Sequence, residues 1–168
     1  MMRSGASTSS TGSRAAGIRA AGDLTETKFM TVRSFFDTNV IVYSDDRSAP
    51  SKQLRALDLL AEHRRAGTGV VSLQVLQEYF VSATRKLQVD PSAARRKVEL
   101  LAEFHVAAPQ ITDILGAIDL HRLHGFSFWD ALILRMAQQA GCKVLFSENF
   151  QNARRVEGIQ LVNPFRQD

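Results

Sequence analysis

The stretch VRSFFDTNV, residues 32–40, is the strongest indication of the fold. Its first six residues predict a short apolar strand that ends in a carboxylate, Asp37. Two small polar residues, Thr38 and Asn39, come next, which indicates that the strand gives way to a helix. Asp37 is therefore either the N-cap of that helix or a functional acid at a strand end, and its position alone favours neither interpretation.

Beyond residue 40, short apolar runs alternate with longer amphipathic runs. We predict strands at 69–72, 104–107, 143–146 and 159–162, a turn at 150–156, and helices at 52–65, 73–87, 90–103, 111–124 and 127–140. The alternation predicts an α/β fold with a central parallel sheet flanked by helices. The site of such a sheet lies at the carboxyl ends of its strands, where Asp37 and the run at 147–149 fall.

Two of the predicted helices are indicated by an apolar stripe at helical spacing. In the helix at 52–65, which Gly67 closes, the stripe is Leu54, Leu57, Leu60 and Ala61. In the helix at 73–87, it is Leu73, Leu76, Phe80, Ala83 and Leu87.

Length and composition exclude several classes of protein. A chain of 168 residues suits one domain, which argues against a multidomain enzyme. Its one cysteine, Cys142, cannot form an internal disulfide, and the four histidines have no cysteine pair nearby for a zinc site. No apolar run approaches the roughly 20 residues of a membrane span, so we expect a soluble, cytoplasmic protein. The net charge of +4 permits a polyanionic partner but is equally typical of an ordinary solvated surface.

The first 30 residues differ from the rest. They begin with a run rich in Ser, Gly, Thr and Ala that offers little to bury, so we expect residues 1–30 to be a disordered extension. Met30 is a plausible alternative start, because a strand pattern begins directly after it. The folded domain is expected to be 31–168.

Two further acids lie close to apolar residues. Glu78 lies within the helix at 73–87, where it either faces a cation or keeps its carboxylate in solvent at the boundary. Asp130 lies in the nearly apolar run FSFWDALIL at 126–134. Ser127 can cap that helix and place Asp130 near its third position, where the helix dipole alone explains an acid. Its apolar neighbours suggest burial instead. We assign four other helical acids to solvent: Glu99, Glu103, Asp113 and Asp119.

Three acids on separate elements raise a question of charge. If Asp37, Glu78 and Asp130 converge, repulsion prevents all of them from ionising without a counterion. A hard divalent cation with oxygen ligands solves that problem, and Mg²⁺ or Mn²⁺ is the usual one.

In order and spacing, these motifs resemble the PIN-domain ribonuclease family, and most closely its VapC-type toxins of type II toxin–antitoxin systems. The resemblance rests on the runs at 36–40, 127–133, 145–151 and 162–165 and on Glu78 in a helix after the second strand. It covers residues 32–165.

The resemblance implies a PIN-like fold and an Mg²⁺- or Mn²⁺-dependent endoribonuclease that is inhibited by a cognate antitoxin and is a homodimer. Carried over by motif, three acids are implied to be catalytic and to bind the metal: Asp37, Glu78 and Asp130. Four residues are implied to support them: Asn39, Ser147, Glu148 and Asn149. Many family members have an Asp where this chain has Asn149, and the amide puts a second metal position in doubt. Candidate contacts to the RNA backbone are Arg85, Lys86, Arg154 and Arg155.

Other functions fit the sequence less well. The main alternative is a catalytically weakened PIN-fold module that binds RNA or a protein, which Asn149 suggests. A phosphotransferase that uses Asp37 as nucleophile would need a second Asp two residues on, where this chain has Asn39. The glycines at 67 and 69 precede a strand and lack the third glycine of a dinucleotide-binding turn, and Cys142 has no nearby histidine that would make it a nucleophile.

Overall fold

A computed structural model describes residues 32–150 and 155–166. The predicted extension at 1–30 and Arg154 lie outside these residues. The strands are β1 (Ser34–Phe36), β2 (Gly69–Ser72), β3 (His105–Ala107), β4 (Val144–Phe146), β5 (Arg155–Val156) and β6 (Ile159–Val162). The helices are α1 (Thr38–Tyr43), α2 (Pro50–Ala66), α3 (Leu73–Arg85), α4 (Pro91–Leu101), α5 (Ile111–His124) and α6 (Phe128–Gln139).

The strands form one sheet in the order β3-β2-β1-β4-β6-β5. Every pair is parallel except β5 with β6. The predicted α/β fold with a central parallel sheet and flanking helices is confirmed. The antiparallel β5 was not predicted, because the sequence indicates only a turn between 150 and 156.

The core lies at the centre of the sheet, where β1 and β4 pair. Phe36 and Phe146 are partners in register, and their rings stack with centroids 5.3 Å apart. His63 of α2 is fully buried and presents its ring edge-on to both. Cys142, just before β4, is also buried, which raises the pKa of its thiol to about 12 and leaves it unreactive.

The helices start and stop at the residues that local chemistry favours. Ser72, Asp90 and Ser127 each cap a helix by accepting a backbone N–H, and Pro91 occupies the first turn of α4. Gly67 ends α2 with a positive φ of 66°.

Gly69 at the start of β2 is required by packing. A β-carbon at this position would lie 2.5 Å from the ring of Phe104. Because Gly69 has no side chain, the ring of Phe104 packs directly against the backbone of β2. We therefore expect any larger residue at position 69 to displace the ring.

The apolar stripes that indicate α2 and α3 coincide only in part with the faces that these helices bury. α2 buries Ala56, Leu59, Leu60 and His63, whereas Leu54 and Leu57 are exposed. α3 buries Gln74, Val75, Tyr79 and Ala83, and Leu73 and Phe80 remain exposed. In each helix the buried face includes polar or polar-tipped residues, so it differs from the most apolar stripe.

The assignment of Asp113 to solvent is also wrong. Asp113 is buried and accepts a hydrogen bond of 3.1 Å from Nε of Arg135, which joins α5 to α6. It also closes a capping box with Gln110. The other three acids assigned to solvent, Glu99, Glu103 and Asp119, are exposed.

No helix within 32–150 or 155–166 combines the length and apolar character needed to cross a bilayer.

Candidate active site

The site lies at the carboxyl edge of the sheet, beyond β1 and β4. Asp37 follows β1 and Ser147 follows β4, and these strands are parallel neighbours, so the two residues are brought side by side. The backbone N–H of Asp37 continues the ladder by donating to the carbonyl of Phe146 at 3.0 Å.

Asp37 is only 2% exposed and is held by four donors. Oδ1 accepts the backbone N–H of Thr38 at 2.6 Å, so Asp37 caps α1. Oδ2 accepts the hydroxyl of Ser147 at 2.5 Å and the side-chain amides of Asn39 at 2.8 Å and Asn149 at 3.4 Å. The N-cap and functional interpretations of Asp37 are therefore compatible, since one oxygen serves the helix and the other faces the strand-end residues.

The electrostatic environment of Asp37 opposes its ionisation. Burial chiefly, and to a smaller extent the negative charges of Asp130 and Glu78, raise the pKa of Asp37 to about 6. The hydrogen bonds from Ser147 and Thr38 act in the opposite direction. A positive charge placed beside this carboxylate would stabilise its ionised form.

Glu78 reaches Asp37 through one intervening residue. Its Oε2 accepts the hydroxyl of Thr38 at 2.7 Å, and Thr38 also donates its backbone N–H to Asp37. Its Oε1 accepts the side-chain amide of Gln74, one turn earlier on α3, at 2.8 Å. Glu78 is partly exposed, so its carboxylate faces the cleft rather than the core.

Asp130 is connected to Asp37 through Asn149. The amide nitrogen of Asn149 lies 3.0 Å from Oδ1 of Asp130 and 3.4 Å from Oδ2 of Asp37. The predicted cap is present, with Ser127 accepting the backbone N–H of Asp130 at 3.1 Å. Asp130 is only partly buried, and the buried residues of α6 begin one position later, at Ala131.

A cleft of about 380 Å³ lies beside Asp37 and Glu78 and reaches Asn149, the neighbour of Asp130, and we call it the acidic cleft. Its lining includes Asp37, Thr38, Asn39, Glu78, Glu148 and Asn149. Within the residues described, no three Asp, Glu, His or Cys side chains are arranged to hold a metal ion as they stand. The acids are thus linked through Thr38 and Asn149, which is a looser arrangement than the resemblance implies.

The side chain of Glu148 is engaged on the far side of the cleft. Oε1 accepts the phenol hydroxyl of Tyr43, and Oε2 pairs with Lys52, each at 2.7 Å. Lys52 also lies 4.1 Å above the ring of Tyr43, and its bonds to Glu148 and Tyr43 raise its pKa. The backbone N–H of Glu148 donates to Asn39 at 3.3 Å. Tyr43 and Lys52 were missed by the sequence analysis because neither lies in a recognisable motif.

Among the predicted RNA-contacting residues that the structure describes, Lys86 lines the acidic cleft. Arg85 ends α3, and Arg155 lies on β5 at the edge of the sheet.

Comparison with known proteins assigns the family. The PIN domain family profile matches residues 34–158. The chain belongs to the PIN domain family. The fold is similar to that of a chain in a toxin–antitoxin complex from Klebsiella pneumoniae, with 23% identity, a TM-score of 0.58 and coverage of 80% of this chain and 99% of that chain. It is also similar to VapC20, a sarcin–ricin loop cleaving toxin from Mycobacterium tuberculosis, with 17% identity, a TM-score of 0.56 and coverage of 67% and 86%. No curated protein matches the sequence significantly.

The donor set of this PIN domain fits a hard divalent cation. Asp37 and Asp130 provide carboxylate oxygens, the ligand type that Mg²⁺ and Mn²⁺ prefer. Both carboxylates lie around the same amide nitrogen of Asn149, so a cation taking its place would be near both. Because burial is the main cause of the raised pKa of Asp37, a cation beside this carboxylate would lower that pKa and favour its ionised form.

Proposed function

We propose that this PIN domain is an Mg²⁺- or Mn²⁺-dependent endoribonuclease and the toxin of a toxin–antitoxin pair. The proposal is carried by one observation: a buried carboxylate, Asp37, shares the amide of Asn149 with Asp130 and is linked through Thr38 to Glu78. The membership of the PIN domain family and the fold likeness to a toxin that cleaves RNA support the same conclusion.

The position of each residue in the site indicates its role. Asp37 and Asp130 would hold the metal directly, and Glu78, fixed by Thr38 and Gln74, would accept a proton from water in the cleft. A bound Mg²⁺ or Mn²⁺ supplies the positive charge that polarises a phosphodiester and activates water. Asn39 and Ser147 orient Asp37 by donating to Oδ2.

Cleavage of single-stranded RNA in the presence of Mn²⁺ tests the proposal. Asp130→Asn keeps the size of the side chain but removes its charge, and we expect roughly a 100-fold or greater loss of rate. Asp119→Asn on the exposed face of α5 makes the same change outside the site and should cleave like the parent. Equal activity of the Asp130 variant and the parent would rule out this mechanism.

A weakened PIN-fold module remains the second candidate, and Asn149 supports it. Asn149 has an amide where many family members have a fourth carboxylate. The three acids are also not arranged to hold a metal as they stand in the described residues. Calorimetry with Mn²⁺ separates the two candidates. Binding at millimolar concentration or below supports the nuclease, and the absence of any binding supports the module.

An apolar groove beside the site supports the antitoxin as a partner. This groove, about 770 Å³ in volume, lies between α3 and α4 and is lined by Leu73, Leu76, Phe80, Val81, Pro91 and Val98, among others. Its shape suits an apolar helix of a partner protein. Phe80 lines this groove but not the acidic cleft, so Phe80→Glu should preserve RNA cleavage and abolish inhibition by the cognate antitoxin. Inhibition equal to that of the parent would exclude the groove as the binding site.

The homodimer is part of the same proposal. Ile111, Leu115 and Ile118 form a stripe on α5 and are 72%, 56% and 39% exposed. Since a two-fold axis brings the same stripe of two copies together, a second copy is the partner that this apolar face suits.

A further inference from the structure

A second cavity continues from the acidic cleft and has no part in the chemistry proposed above. We call it the loop cavity, because it lies between the loop at 44–49 that joins α1 to α2 and the loop at 86–90 that joins α3 to α4. Its volume is about 670 Å³, within the range of small-molecule pockets. Asp46, Lys86 and Leu87 line both cavities, so the two are contiguous.

The acids of the loop cavity are engaged by the protein itself. Asp45 accepts the hydroxyl of Tyr79 at 2.8 Å and pairs with Lys97 at 3.0 Å. Asp46 accepts the backbone N–H and the hydroxyl of Ser48. The third acid, Asp90, caps α4. The charge of Asp45 is therefore paired with a cation, and the carboxylates of Asp46 and Asp90 are hydrogen-bonded to donors within the chain.

The two cations that line the loop cavity are not engaged in this way. Arg47 and Lys86 are exposed and form no ion pair with any residue in the described part of the chain. Lys86 lies at the junction with the acidic cleft, and Arg47 lines only the loop cavity. Free cations placed one after the other along a cleft are suited to successive phosphates of a nucleic-acid strand.

We propose that the loop cavity binds the nucleotide of the RNA strand that flanks the scissile phosphate. This inference rests on the nuclease function proposed above and deepens it, because it specifies the path of the bound RNA strand beyond the acidic cleft. Lys86 and Arg47 bind backbone phosphates. Leu87 and Val89 provide apolar surface for the nucleotide, and Oε1 of Gln88 accepts a hydrogen bond from it, since the amide nitrogen of Gln88 already donates to the carbonyl of Arg85 at 2.9 Å.

The experiment uses the full chain and a fluorescent single-stranded RNA of about ten nucleotides, a length typical of such binding sites. Binding is measured by anisotropy in EDTA over a range of salt concentrations, and cleavage is measured with Mn²⁺. Lys86→Gln and Arg47→Gln are compared with Lys143→Gln and Arg65→Gln. The controls remove the same charge from exposed positions before β4 and at the end of α2, at the opposite edge of the sheet.

We expect each test variant to bind several-fold more weakly than its control and to reduce the salt slope of log K by about 0.7 per lost phosphate contact. KM for cleavage should rise more than kcat falls, because neither side chain holds the reacting atoms. If the parent cleaves RNA but the test variants match their controls, the loop cavity does not bind substrate. If the parent neither binds nor cleaves RNA, the nuclease function itself fails. Test variants that bind RNA normally but escape the antitoxin would assign the cavity to the protein partner and overturn the inference.

Discussion

Asn149 stands at the point where two carboxylates of the candidate site come closest to a common partner. Its amide donates toward both Asp37 and Asp130, so it partly replaces the positive charge that the acids lack. A neutral amide does this without adding repulsion, whereas a carboxylate at this position would add it. Residue 149 is therefore expected to set how strongly the site attracts a metal.

We predict that Asn149→Asp binds Mn²⁺ about 10-fold more tightly than the parent at pH 8, because it exchanges a competing donor for a ligand. In EDTA the same variant should unfold at a lower temperature than the parent, since three carboxylates then share the site without a counterion. Calorimetry and thermal unfolding measure the two effects. Asn149→Ala is the matched control, and an Asp variant that binds no more tightly than the Ala variant would contradict the prediction.

His63 makes the stability of the fold depend on pH. Its Nδ1 bonds to the hydroxyl of Thr68 at 2.7 Å, while Nε2 is buried without a partner among the residues described. Burial lowers the pKa of His63 to about 4 in the folded state, against an ordinary value of 6.5. The unfolded chain thus takes up the proton first, and stability is lost as pH falls from 6.5 toward 4. Asp37 acts in the opposite sense, because its raised pKa favours the fold as pH falls through about 6.

The two effects are separated by His63→Phe, which fills the aromatic site without a titrating group. Between pH 7 and pH 4.5, the free energy of unfolding of this variant should improve relative to the parent by roughly 2 to 3 kcal/mol. Urea unfolding of both proteins at the two pH values, in EDTA, measures the change. If the two proteins differ in free energy of unfolding by the same amount at both pH values, the pKa of His63 is not lowered in the folded state, and the prediction is contradicted.

At the scale of the elements, α5 and α6 are joined by an ion pair with a buried carboxylate. Asp113 pairs with Arg135 and also accepts the backbone N–H of Gln110 at 3.1 Å. Asp113→Ala should lower the free energy of unfolding by about 2 kcal/mol, because it removes both a helix cap and a charged hydrogen bond. Asp119→Ala on the exposed side of α5 should change it by less than about 0.5 kcal/mol. Equal effects of the two substitutions in urea unfolding would contradict this role.

The sequence predicts most elements because their ends carry local signals. Asp90-Pro91, Ser127 and Gly67 mark helix ends by chemistry that needs no tertiary contact. The faces of the helices are harder to predict. In α2 the buried stripe contains His63, whose burial depends on Phe36 and Phe146 from distant strands.

In the candidate site, too, the sequence predicts the residues that have a local signal and misses those that depend on distant contacts. Asp37 and Asp130 stand out because an acid next to an apolar run is visible in the sequence. The contacts of Lys52 and Tyr43 with Glu148 span about a hundred positions of the chain, and no local pattern reports them. Asp113 was misassigned for the same reason, since its partner Arg135 lies on another helix.

At the scale of the whole molecule, we predict that the apolar stripe of α5 holds two copies together. The parent should sediment as a dimer at micromolar concentration, and Leu115→Glu should sediment as a monomer, because the change places a charge in the middle of the stripe. Leu54→Glu alters a leucine of similar exposure on α2 and should leave the dimer intact. A monomeric parent, or a dimer that survives Leu115→Glu, would exclude this interface.

The extension at residues 1–30 is a second prediction at this scale that stays untested, as it lies outside the described residues. A chain that begins at Met30 should unfold at the same temperature as the full chain, since the serine- and glycine-rich run offers little apolar surface. A clear decrease in thermal unfolding temperature would show that the extension packs on the domain.

The most direct test of the central claim is a crystal of the full chain soaked in Mn²⁺, with diffraction recorded at the manganese absorption edge. We predict an anomalous peak bound by carboxylate oxygens of Asp37 and Asp130, with Glu78 nearby and the amide of Asn149 displaced from between them. If the map shows no peak there and Asn149 still bridges the two carboxylates, the acids are not a metal site and the nuclease proposal fails.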